Sequence, residues 1–259
     1  MSIFDENKIL AVEAKVKGKI PNRGEADMYR YPKLLRGKFI KRYKRFFADV
    51  LLDGEIVTAH NPNTGTMKCI VQEGRDVILS VSDNPNRKLK YTLEGFLVDG
   101  KWVLTNTILM NTVVKRGILD NEVDELKDCT ALKSEYKFGD GRIDFYGERE
   151  GGRFLAEVKN ATLFDDEYCM FPDAVTERGR KHIGLLLQAM EQGYKPYMIY
   201  VCQVDRPLFR AAHEIDPQYA KALDDAVGRG LNVITVMTDF DMDKGEVRLV
   251  KGGVFRADR

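Results

Sequence analysis

Two acidic residues and one lysine in the middle of the chain have the spacing of a metal-dependent phosphodiesterase site. Asp144 ends a short apolar segment, and Glu157 and Lys159 follow within the apolar run 154–159. Residues two apart on a β-strand project from the same face, so Glu157 and Lys159 reach one site while Val158 faces the core. If Asp144 lies on a neighbouring strand, the two carboxylates supply oxygen ligands for Mg²⁺ or Mn²⁺.

The chemistry expected of this set is hydrolysis of a phosphodiester. A bound cation would polarise a phosphoryl oxygen, and Lys159 would orient the attacking water or stabilise the charge that develops on phosphorus. The spacing alone is weak, because an acid followed two residues later by lysine begins at six places in the chain. Only the triplet at Glu157 lies in a short apolar run after a glycine-rich hairpin signal at 150–153. An ordinary exposed strand pair is the alternative.

A helix with a cationic beginning is predicted further along. Thr176 has the type and position of an N-cap, and the apolar pattern after it predicts a helix from Glu177 to about Gln192. Arg178, Lys181 and His182 fall at i, i+3 and i+4, so they share one face of the first turns. Basic residues at this end oppose the helix dipole, so a bound phosphate explains them better than a solvated face.

The elements that must position these residues follow from periodicity and turn signals. Residues 34–105 contain short β-type segments separated by turns about ten residues apart, which predicts a small barrel. After Thr107 the pattern alternates between helix and strand, with strands at 133–146, 153–163, 197–203 and 231–237 and helices near 107, at 177–192 and at 217–227. Such alternation predicts an α/β sheet with helices on its faces.

Charge is distributed unevenly along the chain. The net charge is +1, but the chain up to Thr112 carries +6 and the remainder −5. Cations are most concentrated at 33–47, where no acid interrupts Lys33, Arg36, Lys38, Lys41, Arg42, Lys44 and Arg45. The aromatic residues Phe39, Tyr43, Phe46 and Phe47 interleave with them. Cations bind phosphates and exposed rings stack on bases, so the segment predicts a nucleic-acid surface, with core aromatics beside a solvated face as the alternative.

Composition restricts the class of protein. A chain of 259 residues with 44% hydrophobic and 31% charged residues suits two globular domains. No segment approaches the ~20 apolar residues that span a bilayer, and the N-terminus lacks the pattern of a secretory signal. We therefore expect a cytoplasmic location and no membrane partner. The four cysteines are far apart, without C-x-x-C spacing, which predicts free thiols.

Nine blocks of the sequence follow one another in the order known from one protein family, at 42–50, 60–67, 87–94, 106–107, 133–139, 142–145, 157–159, 171–182 and 215–220. Through these blocks the chain resembles the sugar fermentation stimulation protein A (SfsA) family from about Leu34 to about Val236. The resemblance implies an α/β chain (α+β overall) in which an N-terminal OB-like β-barrel precedes a PD-(D/E)xK nuclease-like mixed sheet flanked by helices. It implies an extension at 1–33, a nucleic-acid-binding OB-like domain at 34–112 and the nuclease-like domain at 113–259.

The resemblance also implies DNA binding and adds candidate residues. Two polar blocks of the first domain contribute Asn63, Thr64, Arg87 and Lys88 as contacts, because binding residues favour loops on a rigid scaffold. Turn chemistry or solvation explains them equally well. Glu135 matches a family glutamate and is an auxiliary catalytic candidate, with a surface partner for Lys137 as the even alternative.

One dipeptide matches the family's nominal motif, and two residues differ from those usual in the family. Pro172-Asp173 spells the family's nominal dipeptide, but no acid-x-Lys triplet follows it at strand distance, so Asp144 is the better metal-binding acid. Asp173 is expected to shape the loop before the helix, with a direct role near the metal as the alternative. Asn61 stands where the family often has cysteine, and Thr66 where serine or alanine is usual. Neither touches the metal candidates.

Three functions are weighed. The first is a Mg²⁺-dependent nuclease acting on single- or double-stranded DNA, with RNA as a further substrate form. In this function Asp144 and Glu157 hold the metal, and Lys159 acts beside the attacking water. Contacts to phosphate come from Arg178, Lys181 and His182. The nucleic-acid surface consists of Arg36, Lys38, Lys41, Arg42, Tyr43, Lys44, Arg45, Asn63, Thr64, Arg87 and Lys88.

The second function is a non-cleaving DNA-binding regulator of sugar (maltose-type) metabolism genes that uses the same surface. The third is an enzyme of sugar metabolism, which is a distant last because the chain has neither a phosphate-binding glycine loop nor a carboxylate pair in glycosidase context. A homo-oligomer is a further expected partner, although the sequence does not determine the oligomeric state.

Overall fold

The computed structural model describes residues 29–257. Residues 1–28 of the extension predicted at 1–33 therefore lie outside the described residues. The described chain forms three β-sheets, three α-helices and a short 3₁₀ helix at Asp124–Leu126. No helix among these residues is long and apolar enough to cross a bilayer.

The first sheet forms a small six-stranded barrel. Its strands are β2 (Leu34–Tyr43), β3 (Phe47–Leu52), β4 (Glu55–His60), β5 (Asp76–Val81), β6 (Tyr91–Val98) and β7 (Lys101–Leu104). Sheet neighbours run antiparallel in the order β4-β3-β2-β5-β6-β7, and β4 also pairs in parallel with β6, which curls the sheet back on itself. Turns at Asp53-Gly54 and Asp99-Gly100, two of the turn signals that divide the β-type segments in the sequence, connect β3 to β4 and β6 to β7, with positive φ at all four residues.

The second sheet has seven strands and carries the candidate site. It consists of β1 (Tyr29–Arg30), β8 (Ala131–Phe138), β9 (Gly141–Arg149), β10 (Gly152–Ala161), β13 (Lys195–Cys202), β15 (Asn232–Asp241) and β16 (Glu246–Lys251). The order is β1-β16-β15-β13-β10-β9-β8, with β10, β13 and β15 parallel and the remaining neighbours antiparallel. The short strand that precedes the barrel in sequence thus belongs to this sheet.

Helices cover both faces of the seven-stranded sheet. Helix α1 (Thr107–Leu119) packs on one face, where its buried side chains join one apolar core with those of β10, β13 and β15. Helices α2 (Glu177–Glu191) and α3 (Pro217–Gly228) pack on the other face. The domain boundary predicted at residue 112 falls inside α1.

A four-stranded sheet lies beside the barrel. Its strands are β11 (Leu163–Phe164), β12 (Tyr168–Phe171), β14 (Leu208–Ala211) and β17 (Val254–Phe255). Leu163 and Met170 of this sheet form an apolar cluster that Cys69 of the barrel domain contacts. The segment that follows β12 connects this sheet to the beginning of α2.

Candidate functional site

Asp144, Glu157 and Lys159 converge where two antiparallel strands separate. The ladder between β9 and β10 ends at the Phe145–Ala156 pair. Beyond it the Asp144 side chain replaces the ladder, since Asp144 Oδ2 accepts a hydrogen bond of 2.7 Å from the Val158 backbone N–H. The Asp144 backbone N–H donates to Glu157 Oε2 at 3.3 Å. The two carboxylates predicted from the sequence are therefore direct neighbours.

Helix α1 holds the remaining oxygen of Asp144. Asn111 Nδ2 donates to Asp144 Oδ1 at 2.8 Å. Helix α1 is itself fixed by Asn106, whose side-chain oxygen accepts from the Ile108 and Leu109 backbone N–H groups. The amide nitrogen of Asn106 donates to the buried Glu94 at 2.8 Å. The orientation of Asp144 thus depends on a helix anchored in the barrel domain.

Glu157 is held by Lys159 and by His182 of α2. Lys159 Nζ donates to Glu157 Oε1 at 2.5 Å, and His182 Nδ1 bonds the same oxygen. Thr176 caps α2, as predicted, by accepting from the Gly179 backbone N–H at 3.0 Å, and this fixed start sets the position of His182. Glu157 and His182 are both buried, so the hydrogen bond between them is shielded from water.

The hydrogen-bond partners of His182 decide its tautomer. Arg178 Nε lies 3.4 Å from His182 Nε2, and because a guanidinium only donates, that ring nitrogen accepts. In the neutral ring the proton is then on Nδ1, which donates to Glu157. Lys159 Nζ lies 3.1 Å from Nδ1 and has two N–H groups beyond the one directed at Glu157. Those two groups are available to a ligand.

Burial affects the two acids differently. It raises the pKa of Asp144 to about 7, and the nearby Glu157 carboxylate adds to the rise. Burial also acts to raise the pKa of Glu157, but the Lys159 charge and the His182 hydrogen bond outweigh it and hold that pKa well below its usual range. Glu157 is therefore an anion at neutral pH. A cation bound beside Asp144 would favour ionisation of the Asp144 carboxyl as well.

The acids lie at the floor of a cleft between the two domains. The cleft has a volume of about 980 Å³, and its barrel wall includes Arg42, Arg45 and the loop 62–66. Lys115 of α1 and the segment 171–176 form further parts of the wall. The site is thus shared between the domains, since the barrel contributes cations and the second domain contributes the carboxylates.

Asp173 ties the two walls together. Its Oδ2 accepts from the Met67 backbone N–H at 2.8 Å, and its backbone oxygen accepts from Thr66 Oγ1 at 2.7 Å. A Cβ at Gly65 would lie 2.3 Å from Asp173 Oδ1, so glycine permits this close approach. Asp173 contacts the barrel loop, which agrees with the loop-shaping role expected for it.

Glu135 lies at the rim of the cleft in an unusual conformation. It has φ of 54°, and the residues on either side of it pair with Phe145 and Ile143, so Glu135 interrupts the ladder opposite Asp144. Its exposed carboxylate lies 3.8 Å from Arg142. A left-handed non-glycine residue is a strained feature that often marks functional sites. The auxiliary role of Glu135 stays a prediction.

The basic segment 33–47 is divided by the barrel. Arg42 and Arg45 line the cleft, and Arg42 Nη1 donates to the Gly65 carbonyl at 2.7 Å. The other predicted contacts lie outside the cleft lining. Arg36 and Lys38 pair with Asp76, Lys41 and Tyr43 contact Asp49, and Lys44 occupies the β2–β3 turn with positive φ.

The remaining predicted contacts are distributed between the cleft and its surroundings. Asn63 and Thr64 line the cleft, although Asn63 is buried and its side chain bonds the Gly65 backbone N–H. Arg87 donates to Thr92 at 2.7 Å, and neither it nor Lys88 lines the cleft. Lys181 is exposed and bonds Asp140 outside the cleft.

Sequence reasoning missed Asn111 and Lys115. Both lie on α1, where only the presence of a helix was predicted. Asn111 contacts an acid 33 residues further along the chain, so no local pattern relates the two. An asparagine and a lysine four apart, on the helix after the barrel, were the available signal.

The donor set fits a hard divalent cation. Among residues 29–257, no group of three or more His, Cys, Asp or Glu side chains has the arrangement of a metal site. Two adjacent carboxylates, one of them raised in pKa by burial and by its neighbour, nevertheless suit Mg²⁺ or Mn²⁺, because such ions retain waters and accept substrate oxygens as ligands. Asp144 and Glu157 are the residues that would hold the ion.

Comparison with known families agrees with this architecture. A family model described as the SfsA N-terminal OB domain matches residues 40–105. A second, described as the sugar fermentation stimulation protein RE domain, matches residues 108–244. The chain belongs to the sugar fermentation stimulation protein family. This confirms the predicted family.

Relatives within the SfsA family cover most of the chain. A sugar fermentation stimulation protein homolog from Pelagibacter ubique is 46% identical over 189 residues, which is 72% of this chain and 82% of the relative. One from Syntrophotalea carbinolica is 43% identical over 208 residues, 79% of this chain and 90% of the relative. The solved structure of Pyrococcus furiosus SfsA in complex with Ca²⁺ is 26% identical. It covers 88% of this chain and 98% of its own, with a TM-score of 0.82.

The predicted fold class is confirmed by these matches. This chain has an N-terminal OB domain followed by a nuclease-like domain with a mixed sheet flanked by helices. The barrel of strands β2 to β7 falls within the first part and the Asp144 site within the second. The cleft therefore lies at the junction of the two domains of the family.

Proposed function

We propose that the cleft is the active site of a divalent-metal-dependent phosphodiesterase that acts on DNA. The observation that carries the proposal is the convergence of Asp144, Glu157 and Lys159 at the floor of a cleft walled by the OB domain. OB folds are used widely to bind oligonucleotides. The Pyrococcus furiosus relative is a Ca²⁺ complex, and Ca²⁺ shares the preference of Mg²⁺ for oxygen ligands.

Hydrogen bonds from neighbouring residues hold the two carboxylates in position. Asp144 is oriented by Asn111 and by the Val158 backbone N–H, and Glu157 is oriented by His182. A divalent ion held by this pair supplies Lewis-acid activation of the phosphoryl group and of the attacking water. Outer hydrogen bonds of this kind commonly tune metal affinity by 10- to 100-fold.

Lys159 acts on the substrate. Its bond to Glu157 fixes the ammonium group at the floor of the cleft, and its two further N–H groups can donate to a phosphoryl oxygen or orient a water. Arg42, Arg45 and Lys115 place positive charge on the walls, where backbone phosphates would enter. The residues thus divide into a metal-binding floor and cationic walls.

A cleavage assay tests the proposal. Labelled single-stranded DNA, duplex DNA and RNA are incubated with Mg²⁺, Mn²⁺ or EDTA and either wild type, Asp144→Asn or Glu150→Gln. Glu150 is an exposed acid in the turn at the far end of β9, so its variant controls for the loss of a carboxylate. Metal-dependent cutting that only Asp144→Asn loses would establish the nuclease function.

The same assay distinguishes the second hypothesis. DNA binding without cutting in every metal condition would favour the non-cleaving regulator of sugar-metabolism genes. Cutting that persists in Asp144→Asn would show that the assigned site is wrong.

A further inference from the structure

A second cavity, of about 760 Å³, lies beside the cleft between the β8–β9 turn and α2. Arg178 and His182 line both cavities, so the two are adjacent. Three further cations line only the second cavity, namely Lys137, Arg142 and Lys181. We call this cavity the hairpin groove.

The sequence builds the hairpin groove from a glycine turn and a helix face. Residues 139–140 form the β8–β9 turn, and a Cβ at Gly141, the first residue of β9, would lie 2.6 Å from Leu185 Cδ1 of α2. Glycine therefore allows the turn to pack directly on the helix. Lys137 and Arg142 are register partners near this turn, which places both cations at one edge of the groove.

The charge of the hairpin groove favours a polyanion. Its lining contains four cations with Arg178 included, against the single acid Asp140. Lys181 pairs with Asp140 at 2.9 Å and Arg142 lies 3.8 Å from Glu135. All four of these side chains are half-exposed or more, and exposed ion pairs contribute little, so the cations can exchange these partners for phosphates.

The spacing along β9 relates the hairpin groove to the metal site. Arg142 precedes Asp144 by two residues, which is roughly 7 Å along a strand. A nucleic-acid strand advances about 3.4 Å per nucleotide when stacked and more when extended. A phosphate one or two nucleotides from a phosphate at Asp144 therefore falls among Lys137, Arg142 and Arg178.

We propose that the hairpin groove binds the phosphates of the nucleic-acid strand that continues beyond the bond positioned at Asp144. The inference rests on the proposed function and extends it, because the strand is then held on both sides of the site. Arg42, Arg45 and Lys115 hold it on the barrel side, and Lys137 and Arg142 hold it on the other. Arg178, which lines both cavities, contacts the phosphate between them.

Salt-dependent binding of single-stranded oligonucleotides of increasing length tests this path. Affinities are measured in EDTA, so that cutting does not interfere, for wild type, Lys137→Ala/Arg142→Ala and the control Lys221→Ala/Arg256→Ala. The control removes one exposed lysine and one exposed arginine that line neither cavity. Each lost phosphate contact lowers the slope of log affinity against log salt by about 0.7 on a single strand.

We expect the Lys137/Arg142 variant to lower the slope by about 1.4 on long oligonucleotides and the control to leave it unchanged. Equal slopes in the two double variants would overturn the proposal, as would a wild-type affinity for a mononucleotide equal to that for the longest strand. Metal-dependent cleavage is measured separately. If wild type does not cut but the slope difference is present, the proposed catalysis fails and the groove assignment stands.

Discussion

His182 donates from its Nδ1 to Glu157 Oε1, which joins the second turn of α2 to the centre of β10 across 25 residues of sequence. Arg178 donates to the other ring nitrogen, which leaves the proton of the neutral ring on Nδ1. His182 lines the cleft but is buried at its floor. Its placement favours orientation of Glu157 over the phosphate contact predicted from the helix face.

The first prediction concerns this orienting bond. His182→Ala removes a donor to Glu157, and we expect the affinity for Mn²⁺ to fall by about 10- to 100-fold, as for other second-layer partners of metal ligands. His182→Asn places an amide N–H near the position of Nδ1, so it should recover part of that affinity. Calorimetric titration of Mn²⁺ measures both. Equal losses in the two variants would mean that the ring contributes packing and not orientation.

The second prediction links Asp144 to stability. A folded-state pKa of about 7 exceeds the ordinary value of 3.8, so the unfolded chain loses this proton first. The contribution of Asp144 to the free energy of unfolding therefore falls as pH rises from about 4 to about 7 and is constant above that. By linkage the full loss is on the order of 4 kcal/mol without metal.

Asp144→Asn should accordingly stabilise the metal-free protein at pH 8, by more than it does at pH 5. Denaturant unfolding in EDTA at the two pH values measures the difference, with Glu150→Gln as the exposed-acid control. Saturating Mn²⁺ should stabilise wild type but not Asp144→Asn, because only the intact pair binds the ion. A stabilisation that is the same at pH 5 and pH 8 would show that Asp144 carries no raised pKa.

Local chemistry explains what could be predicted from the sequence. The start of α2 follows from the N-cap Thr176, and the end predicted at about Gln192 lies one residue from the observed end at Glu191. The contact of Glu157 with Lys159 follows from the period of a strand. Both predictions rest on neighbouring residues, where sequence and geometry are directly related.

The features that could not be predicted from the sequence depend on contacts between distant segments. Asn111 reaches Asp144 only because α1 packs on the sheet, and the strands of the small sheet have two to four residues each, too few for a recognisable period. The basic segment appeared continuous in sequence. A bulge between Phe39 and Lys41 and a turn at 44–46 divide its cations among separate parts of the barrel.

The third prediction concerns two exposed apolar side chains of the cleft. Ile108 at the start of α1 and Val175 before α2 are each 68% exposed and line the cleft from different segments. Exposed apolar groups beside cations suit the bases of a single strand, whose faces are apolar. We expect Ile108→Ala and Val175→Ala each to weaken single-strand binding by about 1 kcal/mol, roughly fivefold, with a smaller effect on duplex DNA.

Ile56 supplies the matched control for this measurement. It is also 68% exposed, but it lies on β4 and does not line the cleft. Ile56→Ala should leave binding of both DNA forms unchanged. If all three variants weaken binding equally, the effect is a general property of the surface and the assignment of bases to the cleft is wrong.

The fourth prediction concerns the link between the domains at Asp173. Asp173→Ala leaves the Met67 backbone N–H without its acceptor, so we expect a loss of about 1–3 kcal/mol in the free energy of unfolding. Asp173→Asn keeps an oxygen that can accept this bond, and burial already raises the pKa of Asp173, so the amide should retain most of the stability. Denaturant unfolding measures both.

Metal titration of the same variants separates this linking role from a metal-binding one. Because Asp173 contacts the barrel loop, Asp173→Asn should bind Mn²⁺ as wild type does, whereas Asp144→Asn should not bind it. Asp173→Ala should weaken oligonucleotide binding, since the wall that carries Arg42 and Thr64 is held by this contact. Loss of Mn²⁺ binding in Asp173→Asn would instead make Asp173 a ligand and move the metal towards the loop before α2.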